Sequence, residues 1–557
     1  DTNMRQPYTK EQIQALLSKV RATIPSSSNT TTVGKHGEAI TYNAEQQEFI
    51  NLVASGKSCI LIGAAGTGKT TCTRGAIQAL IESNRIPILS QGIVHKHLVA
   101  GTPGIVATSF TRRAVSNIKQ ALDSSLRSNC ITTHKLLEYE PVFYTVEDPE
   151  TGDEKRTMRF EPSRNRYNPL PSEIRCVFID EASMMGLDLY ENFTNALASN
   201  IQIVFVGDIN QLPPIFGPAI LGFKMLELPI VELKQVYRQA LESPIIKLAT
   251  EIKEGKTLVT TEKLQQTTER GTVIIHPWKK KLKAEIALQT ASKFMCNMLD
   301  AGSYSPENDI ILCPFNKAFG TIELNKSIAN HIARKEQRVT WEIITGFGTL
   351  YLSVGDKVLY DKEDAIVTKI VRNASYLGKA AQQESTTLDY WGYNSAGAAK
   401  HAAHISEGDE AEGSDELLNL MLDNIASIED KEARVRAASH IVTLQMLDSE
   451  KEIELDSAAE LNSMLLGYAL TVHKAQGSEW DRVFLLLHQS HNTMIQRELL
   501  YTAVTRAAKS LYVICESDTF EKGVLSQRIT GNTLAEKAQY FKGALKNRNG
   551  TEGFTLK

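Results

Sequence analysis

The clearest patterning in the chain is a set of short, continuous apolar strings rather than alternating ones. Ser58-Cys59-Ile60-Leu61-Ile62, Gly104-Ile105-Val106-Ala107-Thr108, Cys176-Val177-Phe178-Ile179 and Ile203-Val204-Phe205-Val206 each stop at a glycine or a polar residue. Strings of this length predict strands covered on both faces, the habit of parallel sheets. Helix-period patterns separate them, over Thr71 to Glu82 and again through Gln120. That alternation predicts an α/β fold. A further string, Asp309 to Cys313, and a resumption at Leu465 predict a second sheet.

Two stretches break the rhythm. From Leu136 to Pro171, Val142–Val146 and Arg156–Phe160 flank a polar turn from Glu147 to Lys155, predicting an inserted β-hairpin. Its edge aromatics suit a separating wedge or a small packed subdomain. In the second half, Leu352 to Tyr360 reads as strand, Gly392 to Gly413 as linker, and two sets of apolar residues recur at helical spacing. These are Leu417, Met421, Ile425 and Ile428, then Val435, Ala438, Ile441 and Val442, and they predict a helical hairpin. At the N-terminus a short helical pattern, Glu11 to Val20, precedes a Ser/Thr/Asn run, Ser26 to Thr32, that reads as a flexible link.

A length of 557 residues exceeds one core and implies several domains. No apolar run approaches the roughly 18 residues that span a bilayer, and no signal segment is visible, so a cytoplasmic protein without membrane attachment is expected. Seven cysteines stand without a CxxC pair, which argues against a zinc site or disulfide framework. His401 and His404 lack a third ligand at metal spacing. Net charge is −4, but residues 406–460 hold 16 acidic against 4 basic residues. The remainder is therefore net +8, a mildly basic body able to follow a phosphate backbone.

Candidate chemistry begins where the first strand ends. Gly63-Ala64-Ala65-Gly66-Thr67-Gly68-Lys69-Thr70, followed by Thr71, has the spacing of a phosphate-binding loop. Glycines let backbone N–H groups turn inward as an anion nest, and the next helix offers its positive N-terminus. Lys69 would reach the β- and γ-phosphates and Thr70 would ligate Mg²⁺. Asp180 and Glu181 follow another strand, where two carboxylates need a cation or a water to act on. Asp180 would hold Mg²⁺ and Glu181 would orient and deprotonate water. Gln211, on the turn after the next strand, could sense a γ-phosphate, and Arg238 could reach the same group. Gln46 could read an adenine edge, since an amide both donates and accepts. Hydroxyl and basic residues at strand ends, Phe110-Thr111-Arg112-Arg113 and Thr133-His134, suit phosphate contact or helix capping.

The ordered set GAAGTGKT, DEAS, GDINQLPPI, VYRQ, TVHKAQGSEWD (471–481) and YTAVTRA (501–507) resembles the motif series of superfamily 1 helicases, within them the RecD and phage Dda branch. The resemblance covers residues 42 to about 515. It implies two RecA-like parallel-sheet domains with ATP in the cleft between them, an inserted β-hairpin subdomain, and an inserted SH3-like plus helical subdomain. The implied layout is an N-terminal extension over 1–40, a first RecA-like domain over 41–135 and 172–243, and a pin or wedge over 136–171. The second RecA-like domain takes 244–345 and 464–530, the SH3-like and acidic helical insertion 346–463, and a C-terminal tail 531–557. By the same resemblance Arg238 and Arg506 act as arginine fingers and Glu479 lies near the ribose. Thr111, Thr133, His134, Thr471 and His473 match positions lining a single-strand channel, and Arg113 suits phosphate contact beside them. Phe110 departs from relatives that often carry Pro there, its ring either stacking on a base or packing in the core, and on the hairpin Phe143 or Tyr144 is the candidate to stack at the fork.

The activity implied is an ATP- and Mg²⁺-dependent helicase, a monomer that moves 5′-to-3′ on single-stranded and fork DNA. Its polarity follows from Gln211 preceding Leu-Pro-Pro where 3′-to-5′ relatives carry a stacking aromatic. An RNA track, or an ATP-switched loader that does not unwind, stays open. The acidic segment 406–460 is either a solvated face or a dock for a replication or single-strand-binding partner.

Overall fold

The computed structural model describes residues 31–33, 39–124, 126–147, 154–214, 220–256, 263–278, 281–317, 319–345, 348–360, 363–376, 437–447 and 450–549. The patterns at Glu11–Val20, Gly392–Gly413 and Leu417–Ile428, the His401–His404 pair, the hairpin turn at 148–153 and all of 406–436 lie outside them.

The first sheet has six parallel strands in the order Ile230–Leu233, Cys59–Gly63, Gln202–Gly207, Cys176–Ile179, Ile105–Ser109, Cys130–Thr132. Continuous apolar strings form it because both faces are covered. Ile60, Val106, Val177 and Phe205 point into one core, and Cys59, Leu61, Ile105, Phe178 and Val204 into the other. The strand ends Gly63, Ser109, Ile179 and Gly207 therefore converge on one edge, where ligands of open α/β sheets bind.

A second six-stranded sheet runs Leu264–Thr268, Gly271–Trp278, Ala507–Glu516, Trp480–Leu486, Asp309–Cys313, Ala469–Thr471. It is parallel except for its first pair. It too is buried on both faces, with Ile310, Leu312, Val483 and Leu485 on one and Ile311, Phe484 and Leu486 on the other.

The insertion in the second half is β-structure throughout its described residues, save the short helix Ala458–Ser463. Thr340–Thr345 pairs with Gly348–Ser353, and an antiparallel sheet orders Glu452–Ser457, Ala437–Met446, Glu363–Arg372, Lys357–Tyr360, Leu465–Leu466. Ile343, Leu352, Val358 and Val442 share one core. The expected second helix is therefore corrected: Ala438, Ile441 and Val442 lie on a strand, while Val435 falls outside the described residues. Their helical spacing is incidental in a segment rich in β-branched residues, and the neighbouring strands on both sides decide its conformation.

Two segments cross between the sheets. Residues 234–243 lead from the first to the second. On the return, Glu498 accepts from the Arg528 and Ile529 amides at 3.0 Å each, which keeps that stretch with the second sheet. The helix Leu534–Asn549 then lies on the first, with Phe541 buried edge-on to Phe223 at 5.3 Å. A Cβ at Gly222 would stand 2.0 Å from the Phe541 ring, so glycine is required there. Residues expected as a tail are in part a docked helix. No helix among the described residues is long and apolar enough to cross a membrane.

Candidate nucleotide and nucleic-acid site

The loop from Ala64 to Gly68 connects the buried strand Cys59–Gly63 to the helix Lys69–Glu82. Gly66 and Gly68 take φ of +80° and +83°, the left-handed region in which a side chain strains the backbone. The Ala64 carbonyl organises the turn, accepting from the Thr67 hydroxyl at 2.6 Å and from Lys69 Nζ at 3.3 Å. Thr70 is exposed in the first helical turn, where a cation beside phosphate would be met.

Residues 236–240 cover this loop. The Tyr237 amide donates to the Gly66 carbonyl at 3.3 Å, and a Cβ on Gly66 would meet Ala240 Cβ at 2.9 Å. Gln46 is buried; its Oε1 accepts from the Asn43 amide at 3.1 Å in a capping box, and it also bonds Tyr237. Its acceptor is thus committed to helix capping, which leaves its Nε2 beside Gly68 as the group nearest the loop. Arg238 begins the short helix Arg238–Leu241; its side chain lies outside the described residues.

Asp180 and Glu181 stand at the end of Cys176–Ile179. Burial, and then the Glu181 charge, push the Asp180 carboxyl up to about 7, against the Glu181 amide and the Lys69 ammonium. A carboxylate so disfavoured as a lone ion fits a cation ligand. Among the described residues no cluster of three or more His, Cys, Asp or Glu could hold a metal. A Mg²⁺ here would take Asp180, Thr70 and phosphate oxygens instead. Glu181 holds φ +50°, ψ +41°, a strained setting for a non-glycine residue. Gln211 is buried, and its Oε1 has no hydrogen-bond partner among the described residues. An orphaned acceptor at this strand edge suits a ligand-borne donor such as water.

The second sheet reaches this edge directly. The Tyr501 hydroxyl donates to Asp208 Oδ2 at 2.5 Å and accepts from the Ala65 amide at 2.9 Å. The Thr502 hydroxyl accepts from the Leu212 amide at 2.9 Å, and Gln476 Nε2 donates to the Leu212 carbonyl at 3.0 Å. Arg506 is buried, its guanidinium donating to the Thr502 and Ser478 carbonyls at 3.0 Å each and to the Thr505 hydroxyl at 3.1 Å. Glu479 is exposed on the same segment. Tyr237, Asp208, Gln476, Tyr501 and Thr502 are functional candidates that sequence reasoning passed over. All five lie inside the motif segments GDINQLPPI, VYRQ, TVHKAQGSEWD and YTAVTRA, which was the signal available, but none was singled out by its own chemistry.

The expected channel residues gather beside this seam, mostly as its floor. Thr111 caps the helix Arg112–Ala121 by accepting from the Ala114 amide at 3.2 Å, and Gly477, at φ +73°, packs on both residues. Asn117 Nδ2 donates to the Gly477 carbonyl at 3.0 Å. Thr133 is fully buried, its hydroxyl within 3.0 Å of that of Thr108, and Thr471 is buried with its hydroxyl accepting from the Lys474 amide. Both brace strand ends. His473 is buried, whereas Phe110 and His134 are half-buried. The Arg113 side chain lies outside the described residues.

An aromatic chain joins that floor to the hairpin. The His134 ring stands 5.5 Å from Phe110 and 4.8 Å from Tyr139, the first residue of the strand Tyr139–Glu147. Its partner is Glu154–Pro162, with Phe143 opposite Met158 and Tyr144 opposite Thr157; their side chains lie outside the described residues. The hairpin root is fixed by Glu138, which accepts from Arg164 Nε and the Lys96 amide at 2.6 Å each. Burial pushes the Glu138 carboxyl up, but these two donors outweigh it and its pKa falls below the usual value.

Residues 46–217 match the AAA domain family, and residues 466–514 the UvrD-like helicase C-terminal domain. The chain is 25% identical over 497 residues to the ATP-dependent RecD2 DNA helicase of Deinococcus radiodurans, covering 88% of this chain and 51% of that protein. It is 22% identical over 494 residues to the RecBCD enzyme subunit RecD of Buchnera aphidicola, covering 84% and 71%. The chain thus spans about half the length of the first relative. A solved Pif1 helicase from Candida albicans aligns over 91% of this chain and 100% of its own, at 16% identity and a TM-score of 0.43. Family matches fall on both sheets, and the RecD relatives align through both, so the chain is similar over most of its length to RecD-type helicases.

Proposed function

We propose that the chain is an ATP-driven DNA helicase that translocates 5′-to-3′ on a single strand and displaces its complement. The observation that carries this reading is the seam: the segments 471–481 and 501–507 touch the phosphate loop, the Gln211 turn and the Thr111 helix together. Nucleotide state and strand grip thus share one set of contacts, which is the requirement for converting one into the other.

On this reading the loop amides and Lys69 bind the polyphosphate, and Asp180 with Thr70 holds Mg²⁺, which when bound neutralises phosphate charge. Glu181 takes a proton from the attacking water, and Gln211 uses its orphaned oxygen to orient that water. Arg238 and Arg506 gain a γ-phosphate partner on closure, Gln46 and Glu479 bracket the nucleoside, and Thr111, His134 and His473 with their neighbours follow the strand. The two six-stranded sheets act as RecA-like domains that grip in turn, and the hairpin splits the duplex. The chain is a monomer in this scheme, and the acidic segment 406–460 is a solvated face, with a dock for a replication or single-strand-binding partner as the alternative.

Lys69→Ala tests the site: DNA-stimulated ATPase falls by at least ~100-fold, the scale of losing one charge-stabilising donor, while single-strand binding persists. Retained hydrolysis would sink the assignment. Polarity is read on partial duplexes bearing either a 5′ or a 3′ tail, in DNA and RNA versions. Displacement only from a 3′ tail overturns the direction, and ATP-dependent binding without displacement identifies a loader.

A further inference from the structure

Tyr501 has no part in the chemistry above, yet it is the most direct link between the second sheet and the phosphate loop. It is 1% exposed, on the helix Arg497–Val504. Its one proton goes to Asp208 Oδ2 at 2.5 Å, which fixes a lone pair toward the Ala65 amide at 2.9 Å. Asp208 cannot drift, because its Oδ1 accepts from the Asn210 amide and side chain at 3.0 Å each. A phosphate loop works by turning its amides toward an anion, and here one of those amides is turned toward a phenol oxygen of the other half.

We propose that Tyr501 is a positioning residue that stoppers the loop: its hydroxyl holds the Ala65 amide until a polyphosphate oxygen takes that amide over. Loading the loop then frees the helix that carries Tyr501. The next residue, Thr502, accepts from Leu212, one position past Gln211, so release at Ala65 and a shift of the Gln211 turn occur at adjacent residues. Arg506, five residues on and bound to the Thr502 carbonyl, is carried by the same movement. The inference rests on the reading of the loop as a nucleoside triphosphate site, and it assigns the trigger for movement to a neutral hydroxyl rather than to an arginine.

Tyr501→Phe removes only the oxygen. Binding of ADP and of a non-hydrolysable ATP analogue to the full chain is titrated by calorimetry, beside thermal melts without nucleotide. The variant is expected to bind nucleotide about 3- to 10-fold more tightly, the scale of one exchanged hydrogen bond, and to melt lower. The KM for ATP falls with it while kcat does not rise. Asp208→Asn keeps the shape and weakens the same bond, so it moves affinity in the same direction by less, and it serves should the first variant fail to fold. Unchanged or weaker nucleotide binding with Lys69 dependence intact overturns the stopper alone, since a merely structural hydroxyl cannot tighten a ligand. Absence of Lys69-dependent binding in the unmodified chain overturns the nucleotide site itself, and the stopper with it.

Discussion

Gly477 shows how narrowly single positions are set along the seam. Its φ of +73° strains any side chain, and a Cβ there would press on Ala114 Cβ at 3.0 Å and the Thr111 hydroxyl at 3.1 Å. Gly477→Ala should cost about 1–3 kcal/mol, read by denaturant unfolding, and should also lower DNA stimulation of the ATPase because it lifts the segment off Thr111. His491 governs behaviour in acid. It is 1% exposed, its Nδ1 accepts from the His488 amide at 3.1 Å and its Nε2 donates to the Phe319 carbonyl at 2.7 Å. Burial holds its pKa down at about 4. The unfolded chain binds this proton near 6.5 and the folded chain only near 4, so stability is full above 6.5 and is lost as pH falls between the two. The loss is on the order of 3 kcal/mol, measured as the part of the pH dependence of unfolding between about 6.5 and 4 that His491→Gln removes. Residues that read themselves from sequence were those whose role is set by neighbours in the chain: Gly66, Gly68 and Lys69 by spacing, and Asp180 with Glu181 by their place after an apolar string. Tyr501, Gln476 and Asn117 gave no such sign, because their partners lie more than 200 positions away.

Among the elements, the parallel strands were legible because double-sided burial leaves an unbroken apolar string, and the hairpin because a polar turn separates two β-rich runs. The strand Ala437–Met446 misread as helix because its apolar residues fall three and four apart by chance, while the ladders on both sides decide its conformation. Helix Leu534–Asn549 carries a weak apolar pattern, and its main anchor on the first core is the Phe541 ring against Gly222, with Leu534, Ala544 and Leu545 packed beside it. Phe541→Ala should therefore destabilise by about 3–5 kcal/mol and loosen the helix, seen as faster hydrogen exchange over 534–549 and over the facing helix Ile220–Lys224. Exchange confined to 534–549 would show that the first core does not depend on it.

At the scale of the molecule, the overall charge of −4 hides a body that is net +8 once residues 406–460 are set aside. Single-strand binding should weaken steeply with salt, and neutralising the acidic residues of 406–436 should raise affinity most at low salt, which steepens the logarithmic plot because the gain is screened away as salt rises. A gain of the same size at every salt concentration would overturn this electrostatic reading. The two sheets are joined at two places, residues 234–243 on the way out and the stretch around Ile529 on the way back to the docked helix. A plate pinned at one point can swivel about any axis, whereas a plate pinned at two keeps a single rotation, about the line between the pins. The second sheet is thus a door with two hinges: its travel reduces to one angle, and detaching the Leu534–Asn549 helix would leave hydrolysis running while the steps lose their common direction.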